Sequence, residues 1–264
     1  IELYDTEEWG QSEKLRKFLQ TRKRFATLSE AELVEALREP LTQACCLLAS
    51  GEVDACVAGA VYTTGQVIQS GLRIVGTADH SPLLSSYFLM VFDRPPAAGL
   101  EFALYADCGI VIHPSCEQLA QIARATASTA QKIFNLDPRV AMLSFSTAGS
   151  AEHEDAEKVI CATRRLQEDA PDLKVIGEVQ FDAALLPTVR QQKMESVAYA
   201  EPANVYVFPN LDSGNIAYKI TERLGGARAV GPLLQGLSKP LNDLSRGADV
   251  EAVINAIAIS CLQA

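Results

Sequence analysis

Residues 140–181 read VAMLSFSTAGSAEHEDAEKVICATRRLQEDAPDLKVIGEVQF, and this stretch decides the fold. It opens with the near-continuous apolar run VAMLSFS, continues with the amphipathic segment HEDAEKVICATRRLQED and closes on a second apolar run, KVIGEVQF. Apolar strands that flank a helix are typical of parallel strands with both faces buried. The stretch therefore predicts a strand–helix–strand unit of a largely parallel sheet.

The same alternation continues on both sides of this unit. The runs LLSSYFLMVF and FALYADCGIVI predict strands, because both are rich in β-branched and aromatic residues and the turn segment DRPPAAGLE separates them. Helices are predicted at CEQLAQIARATASTAQKIF, AALLPTVRQQK and GNIAYKITERLGG, and a strand at NVYVFPN. The last helix, VEAVINAIAISCLQA, places Val253, Ile257 and Cys261 on one stripe. Together these segments predict an α/β fold.

The region before residue 65 differs from the rest in its pattern of predicted elements, with mostly helical spacing followed by one short strand. Residues 7–39 alternate charged and apolar residues at helical spacing, and TLSEAELVEAL has the Ser-then-Glu pattern of a helix start. EVDACVAGAVYTT then predicts a short buried strand that ends in small residues.

Composition limits the partners of this protein. The 264 residues carry a net charge of −10 and 48% hydrophobic residues, which indicates a globular chain with a sizeable core. Such an acidic chain is not expected to bind nucleic acid or an anionic membrane in general. An anionic ligand needs a local basic pocket, so arginines beside glycine-rich turns carry most of the functional information.

The cysteines indicate a reduced protein. Seven cysteines form no CxxC pair, and only three histidines are present, far apart in sequence. We therefore predict no metal site, no disulfide framework and a cytoplasmic location. Cys108 and Cys116 are interpreted as small core residues rather than nucleophiles, and His113 and His153 as surface or packing residues. The apolar runs are too short to span a bilayer.

Polar turns follow several of the predicted strands. In open α/β sheets ligands bind beyond the carboxyl ends of the strands. The turn after VAML contains Ser144, Ser146, Thr147, Gly149 and Ser150. Hydroxyls and flexible backbone before a helix predict an anion site, and a plain Ser/Thr helix cap is the alternative.

Two further turns have the same character. NLDSGNIAYK leads into a helix with Lys219 and Arg223, for which a solvated surface is the alternative. PLNDLSRG (240–247) brings Ser245 and Arg246 before the last helix, and the alternative is a turn followed by a cap at Asp249. No GxGxxG, Walker A or GxSxG pattern is present, so hydride transfer and nucleotide hydrolysis lack their usual motifs.

Taken together, these segments resemble one family, the phosphate acetyl/butyryltransferases that include phosphate acetyltransferase. The resemblance extends over essentially the whole chain. It is carried by DACVAGAVYTT, ADCGIVIHPSCEQLAQIA, VAMLSFSTAGS, GEVQFDAALLP, ANVYVFPNLDSGNIAYKITERLGG and GPLLQGLSKPLNDLSRG.

The resemblance implies an activity and an architecture. The family transfers an acetyl group reversibly between acetyl phosphate and coenzyme A, which enters as a substrate, so no permanently bound cofactor is expected. Two three-layer α/β/α domains with the active site in the cleft between them are implied, similar to isocitrate and isopropylmalate dehydrogenases, together with a homodimer. Domain I would comprise 1–79 and 237–264, and domain II 80–236. Family members carry further residues before the point where this chain begins, so the first part of domain I is expected to be absent here.

The resemblance also assigns site residues. Ser245 and Arg246 occupy the positions of the family's catalytic serine and arginine, and Glu251 is our candidate for the acid. The substrate-binding set is Arg22, Thr63, Thr64, Ser144, Ser146, Thr147, Gly149, Ser150, Lys219 and Arg223.

This chain departs from the family pattern at two positions. Gln69 stands where the family has an arginine, with Arg73 one helical turn on, and Ala252 stands where the family has an acidic residue proposed as a base. We hypothesise that Glu251 or Asp249 substitutes for that base. The alternative is that Asp249 caps the helix and Glu251 faces solvent.

The expected mechanism is direct attack of the coenzyme A thiolate on the acetyl carbon. Arg246 would hold the phosphate and Ser245 the carbonyl oxygen. Two other interpretations stay open: a butyryl- or propionyl-transferase, and a non-catalytic module that serves regulation or oligomerisation.

Overall fold

The computed structural model describes residue 3 and residues 5–79, 83–194 and 197–264. Its helices are α1 (Thr6–Gly10), α2 (Glu13–Gln20), α3 (Glu30–Leu37), α4 (Pro40–Ser50), α5 (Thr64–Ser70), α6 (Cys116–Phe134), α7 (Glu154–Asp169), α8 (Phe181–Leu185), α9 (Pro187–Lys193), α10 (Leu211–Arg223) and α11 (Val250–Gln263). Its strands are β1 (Cys56–Gly59), β2 (Ser85–Val91), β3 (Phe102–Ala106), β4 (Arg139–Leu143), β5 (Lys174–Val179), β6 (Val205–Val207), β7 (Arg228–Gln235) and β8 (Leu241–Leu244). A π-helical turn, Gly71–Val75, follows α5 directly.

The chain divides into two compact units. The first unit comprises Ile1–Pro82 and Gly236–Ala264, and the second comprises Leu83–Gln235. The C-terminal residues therefore return to the unit in which the chain begins. The predicted domain boundaries, the three-layer arrangement of each domain and the likeness to dehydrogenases remain predictions.

The second unit is built on a mixed sheet with the strand order β5-β4-β6-β3-β2-β7. The pairs β3–β6, β4–β6 and β4–β5 are parallel, and β2 is antiparallel to both β3 and β7. The α/β prediction is confirmed, with one qualification. Residues 92–101 join β2 to β3, and this connection is shorter than the crossover of about a dozen or more residues that parallel strands need, so the two strands pair antiparallel.

Apolar side chains on both faces of this sheet explain its place in the core. Val140, Ala141 and Met142 on β4 are completely buried. Helix α6 begins with a capping box between Ser115 and Gln118. Its apolar residues, which recur every three to four positions, lie on the buried face of the helix.

The first unit combines helices α1–α5 with α11 around the two-stranded parallel sheet β1–β8. Leucines of α2, α3 and α4 form its apolar core together with Val67 and Leu241. The predicted helix start in TLSEAELVEAL is confirmed, because Ser29 and Glu32 form a reciprocal capping box at α3.

Four predicted elements differ from the structure. The run FALYADCGIVI is a strand only as far as Ala106, because the Asp107 carboxylate then accepts hydrogen bonds from the backbone N–H groups of Gly109, Ile110 and Val111 and holds a loop. The single helix predicted at AALLPTVRQQK is two, since Pro187 begins a new helix and has no N–H to continue the old one.

The other two differences lie in the C-terminal segment. PLNDL, interpreted as a turn, contains strand β8, which pairs with β1. The buried face of α11 consists of Ala256, Ile259 and Ser260, whereas Ile257 and Cys261 are exposed. The predicted stripe is therefore wrong, because an apolar helix offers more than one face and its neighbours choose among them.

The prediction that the cysteines are unpaired is wrong for one pair. Cys116, at the start of α6, and Cys161, on α7, form a disulfide between positions 45 residues apart in sequence. Cys116 is therefore not a small core residue. The remaining cysteines, Cys45, Cys46, Cys56, Cys108 and Cys261, are free thiols.

None of the helices within the described residues is both long enough and apolar enough to cross a membrane.

Candidate active site

The two turns of the first unit that carry candidate site residues lie side by side because β1 and β8 are parallel. Their register pairs Ala58 with Asp243 and Gly59 with Leu244. The backbone N–H of Ala60 then donates to the carbonyl oxygen of Leu244 at 3.0 Å. The turns that follow the two strands, one with Thr63 and Thr64 and the other with Ser245 and Arg246, therefore start from the same edge of the sheet.

Gly59 is required for this close approach. Its φ is +106°, and a Cβ atom there would lie 2.3 Å from the Leu244 carbonyl oxygen. A side chain at this position would separate the two strands at the edge that carries the candidate residues.

The two threonines have different partners. Thr63 caps α5 through a capping box with Gln66. Thr64 donates its hydroxyl proton to Asp243 Oδ2 at 2.5 Å, and Asp243 Oδ1 is buried without a hydrogen-bond partner among the described residues. Burial raises the pKa of the Asp243 carboxyl, and the hydrogen bond from Thr64 offsets part of that effect. Asp243 thus fixes the first turn of α5 to β8 through a carboxyl group whose pKa is raised by burial.

Ser245 and Arg246 are exposed in the turn after β8. The Ser245 Oγ accepts from the backbone N–H of Gly247 at 3.2 Å, and its own proton has no acceptor among the described residues. No carboxylate in the described part of the chain forms an ion pair with Arg246. Both groups are therefore available to donate hydrogen bonds to an anionic or carbonyl oxygen.

The acids beside Ala252 have different environments. Asp249 is the N-cap of α11 and accepts from the Ala252 N–H at 2.8 Å, which agrees with the alternative that this residue caps the helix. Glu251 lies exposed in the first turn of the same helix. The structure therefore gives Asp249 a structural task and leaves the predicted role of Glu251 as a prediction.

Basic side chains form an open pocket in the first unit. Lys23, Arg24 and Arg73 line it together with Leu72. No ion pair joins any of these three cations to an acid within the described ranges. Arg73, one helical turn beyond Gln69, thus supplies a guanidinium in this region.

Arg22 lies next to this pocket in sequence and is half-buried. Its guanidinium stacks 4.4 Å above the Phe18 ring, and its Nε is buried without a hydrogen-bond partner in the described structure. The stacking fixes the orientation of a cation that still has a donor to offer.

In the second unit, the serine-rich turn at 144–150 is organised by a buried carboxylate. Glu178 Oε1 accepts from Ser146 Oγ at 2.9 Å and from the Gly149 N–H at 2.7 Å. Ser146 and Thr147 are buried, while Gly149 and Ser150 are exposed. Helix α7 starts only at Glu154, and its N-cap is His153. Several donors of the turn are therefore committed within the protein.

Hydrogen bonds among the turn's own residues complete this arrangement. The Thr147 N–H donates to Ser150 Oγ at 3.0 Å, and the Ser146 N–H donates to Ser144 Oγ at 3.1 Å. These bonds tie the residues of the turn to one another, and Gly149 and Ser150 are the candidate site residues in it that are exposed.

Lys219 and Arg223 lie one turn apart on α10. Lys219 Nζ donates to Asn215 Oδ1 at 2.8 Å, and the exposed Arg223 pairs with the neighbouring Glu222. The alternative of a solvated helix surface accounts for these contacts without a ligand, so their substrate role stays a prediction.

Burial makes the thiols of Cys45, Cys46, Cys56 and Cys108 poor nucleophiles, whereas the Cys261 thiol is exposed. Burial raises the pKa of the Cys108 thiol well above its ordinary value, and that of Cys56 to about 11. His113 and His153 are exposed, as predicted, and His80 lies outside the described residues. No cluster of three or more His, Cys, Asp or Glu side chains in the described part of the chain is arranged to hold a metal ion.

The structure thus brings Thr63, Thr64, Ser245 and Arg246 to one edge of the β1–β8 sheet. Sequence reasoning missed Asp243, Glu178 and the cations Lys23 and Arg24. Asp243 was visible as the acid two residues before Ser245, but its importance depends on β8 being a strand with Thr64 as a neighbour.

A mixed α/β protein with guanidinium and hydroxyl groups exposed beyond its strand ends has the features of an enzyme that handles anionic substrates. The family model described as "Phosphate acetyl/butaryl transferase" matches residues 1–261. The chain belongs to this family, which the resemblance of its motifs had predicted.

Individual relatives agree with this assignment. The chain is 45% identical over 235 residues to the phosphate acetyltransferase of Paracoccus denitrificans, an alignment that covers 89% of this chain and 74% of that protein. It is 42% identical over 257 residues to the phosphate acetyltransferase of Acetivibrio thermocellus, covering 96% and 77%. The EutD phosphotransacetylase from Staphylococcus aureus superposes with a TM-score of 0.89 at 37% identity and covers 100% of this chain and 78% of that one.

We predict that Glu178→Ala destabilises the second unit by about 1–3 kcal/mol, because Ser146 and the Gly149 N–H lose their acceptor inside the protein. Urea unfolding of the variant and of wild type measures the difference. Glu178→Gln is the matched control, since its amide oxygen still accepts. An equal loss in both variants would show that the charge, and not the acceptor, holds the turn.

Proposed function

We propose that this protein catalyses reversible acetyl transfer between acetyl phosphate and coenzyme A, with Ser245 and Arg246 as its catalytic donors. One observation carries the proposal. In a member of the phosphate acetyl/butyryltransferase family, the Arg246 guanidinium and the Ser245 hydroxyl stand together in the turn after β8, beside the turn of Thr63 and Thr64, and within the described residues neither group donates to an acceptor.

The charges of the reaction explain why these groups are needed. Acetyl phosphate carries its negative charge on the phosphoryl oxygens, and charge builds up on the carbonyl oxygen and on the leaving phosphate as the sulfur attacks. A guanidinium binds phosphate oxygens in a bidentate manner, and it needs no other anion to be displaced first. The Ser245 hydroxyl suits the carbonyl oxygen, where one donor contributes about 3 kcal/mol to transition-state stabilisation.

The nucleophile comes from the substrate. Coenzyme A supplies a thiol whose ordinary pKa of about 8.5 leaves a few per cent as thiolate at neutral pH. A protein nucleophile is then unnecessary, which agrees with the raised pKa of buried thiols such as Cys108. Glu251 is the acid that the sequence suggests for proton transfer from the thiol.

The phosphates of coenzyme A require further cations. The pocket of Lys23, Arg24 and Arg73 offers three positive charges that pair with no acid among the described residues, and the stacked Arg22 precedes Lys23 in sequence. We assign the 3′-phosphate of coenzyme A to this pocket. The exposed members of the 144–150 turn, Gly149 and Ser150, together with Lys219 and Arg223, are the substrate-binding groups proposed for the second unit.

The acyl preference and the catalytic competence each have an alternative. The family description includes butyryl transfer, and rates with acetyl, propionyl and butyryl phosphate separate these activities. Ala252 in place of the family's acid favours a non-catalytic module, whereas the free Ser245 and Arg246 favour an enzyme.

We further propose a cytoplasmic homodimer. Helix α10 exposes Ile216 and Ile220, its C-cap Leu224 continues the row at intervals of four residues, and a second copy of the chain would cover such a stripe. In the cytoplasm the Cys116–Cys161 disulfide would form only under oxidising conditions.

Arg246→Ala is expected to lower kcat/KM for acetyl phosphate about 10²–10³-fold, since the leaving phosphate loses its cation. Formation of acetyl-coenzyme A from acetyl phosphate measures the effect. Arg38→Ala, which removes an exposed arginine paired with Glu35 on the same unit, is the control and should keep wild-type kinetics. An inactive wild type, or an Arg246→Ala variant as active as the control, would reject the proposed function.

Arg73→Ala is expected to raise KM for coenzyme A about tenfold with little change in kcat, because it removes a binding charge that does not change during the reaction. Dephospho-coenzyme A, which lacks the 3′-phosphate, tests the assignment directly. Wild type should discriminate against it, and the variant should not. Equal discrimination by both proteins would place the 3′-phosphate elsewhere.

Ile220→Glu is expected to convert the proposed dimer into monomers, since it places a charge in the centre of the apolar stripe on α10. Sedimentation velocity at several protein concentrations measures the change. Ile254→Glu, at an equally exposed apolar position on α11, is the matched control. A wild type that sediments as a monomer would contradict the dimer.

A further inference from the structure

The hydrogen bond from Thr64 to Asp243 lies beside the candidate active site and determines what else the Thr64 hydroxyl can bind. A hydroxyl has one proton and two lone pairs, and Thr64 gives that proton to Asp243 Oδ2. The half-buried Thr64 Oγ1 therefore has only acceptor capacity left for any other group. The substrate group that needs an acceptor in the proposed reaction is the thiol S–H.

Asp243 is placed to receive a proton and poorly placed for a purely structural task. Its side chain is 4% exposed, and its second oxygen has no partner in the described structure. An ionised carboxylate with an unsatisfied oxygen is costly at such a position. The fold therefore keeps a destabilising group at the end of β8, two residues before Ser245.

We propose that Thr64 and Asp243 form a proton relay for the coenzyme A thiol, with Thr64 as the catalytic residue and Asp243 as the group that orients it and takes its proton. This inference rests on the proposed function. It assigns the proton transfer to β8 and α5, although the family pattern assigns it to the position of Ala252.

The step balances without any further reactant. The S–H bond breaks as its proton passes to Thr64 Oγ1, and the Thr64 proton passes to Asp243 Oδ2. The sulfur electron pair forms the C–S bond to the acetyl carbon, and the C–O bond to phosphate breaks with its pair on the phosphate oxygen. The departing phosphate is more basic than a carboxylate, so the proton returns through Thr64 to phosphate and the relay is restored.

Few titratable groups lie on the elements around Asp243, so its titration can be followed in the pH dependence of the activity. Burial raises its pKa, and α5 carries no ionisable side chain. The titratable or charged residues on β1, on the loop to α5 and on the segment after β8 are Cys56, Tyr62, Arg246, Asp249 and Glu251. The pKa of Cys56 is raised to about 11 and that of Tyr62 to about 12, so neither group changes its protonation state near neutral pH.

The experiment compares the pH dependence of kcat/KM for coenzyme A in wild type and variants. Wild type should lose activity as the pH falls through the raised pKa of Asp243, because the protonated carboxyl no longer takes a proton. Asp243→Asn and Thr64→Val should each lower kcat about 10²–10⁴-fold and abolish this acidic limb. The double variant should lower kcat no further than either single variant does, since the two residues act as a unit. Thr64→Ser, which keeps the hydroxyl, should restore the limb.

Two controls separate the relay from a structural role. Ser260→Ala removes a hydrogen bond to Asn242 on the other face of β8 and should leave the pH profile unchanged. Asp243→Asn should not lower the melting temperature at neutral pH. A folded-state pKa above the unfolded one stabilises the protein only below that pKa, and this stability is lost as the pH rises through it. A solvent isotope effect present in wild type and lost in both single variants would mark the transferred protons.

Each remaining outcome overturns the inference. Glu251→Gln losing the acidic limb while Asp243→Asn retains it would assign the proton transfer to Glu251. Additive losses in the double variant, or a limb that survives Thr64→Val, would leave the bond a structural one. These results reject the relay alone, because wild type and Arg38→Ala would still transfer acetyl groups. An inactive wild type rejects the proposed function and the relay together.

Discussion

Parallel pairing of β1 with β8 is the constraint on which the first unit depends. The two strands come from distant parts of the sequence, and the hydrogen bond between Thr64 and Asp243 spans 179 positions. Parallel strands end at the same edge of a sheet, so this pairing alone brings the threonine turn beside the Ser245–Arg246 turn. Gly59 permits it, because any side chain there would meet the Leu244 carbonyl group.

Buried carboxylates hold the loops at three strand ends. Asp107 follows β3 and accepts from the backbone N–H groups of its loop, Glu178 in β5 holds the 144–150 turn, and Asp243 in β8 holds Thr64. Their chemical situations differ. Asp107 and Glu178 accept several hydrogen bonds, which compensates for burial, whereas Asp243 has one oxygen without a partner. Burial accordingly raises the pKa of the Asp243 carboxyl.

Ala252 stands where the resemblance places an acidic base, and the loss of that acid does not by itself prevent the proposed reaction. With Asp249 capping α11, the C-terminal segment has Glu251 as its nearest unassigned acid, and that side chain is exposed. A thiol needs only modest help to ionise near neutral pH, so a weak or indirect base is sufficient. The proposed anion-binding groups cannot be replaced as easily, and both of them, Ser245 and Arg246, are present.

The sequence by itself determined the α/β class, the capped start of α3, the helix α6 and the family, because local periodicity, capping patterns and ordered motifs are properties of neighbouring residues. It did not determine that PLNDL is a strand, that Asp107 ends β3, or that Cys116 pairs with Cys161. Each of these depends on a partner far away in the chain. The same reason applies to Asp243: its burial, its bond to Thr64 and its raised pKa exist only once β1 and β8 have paired.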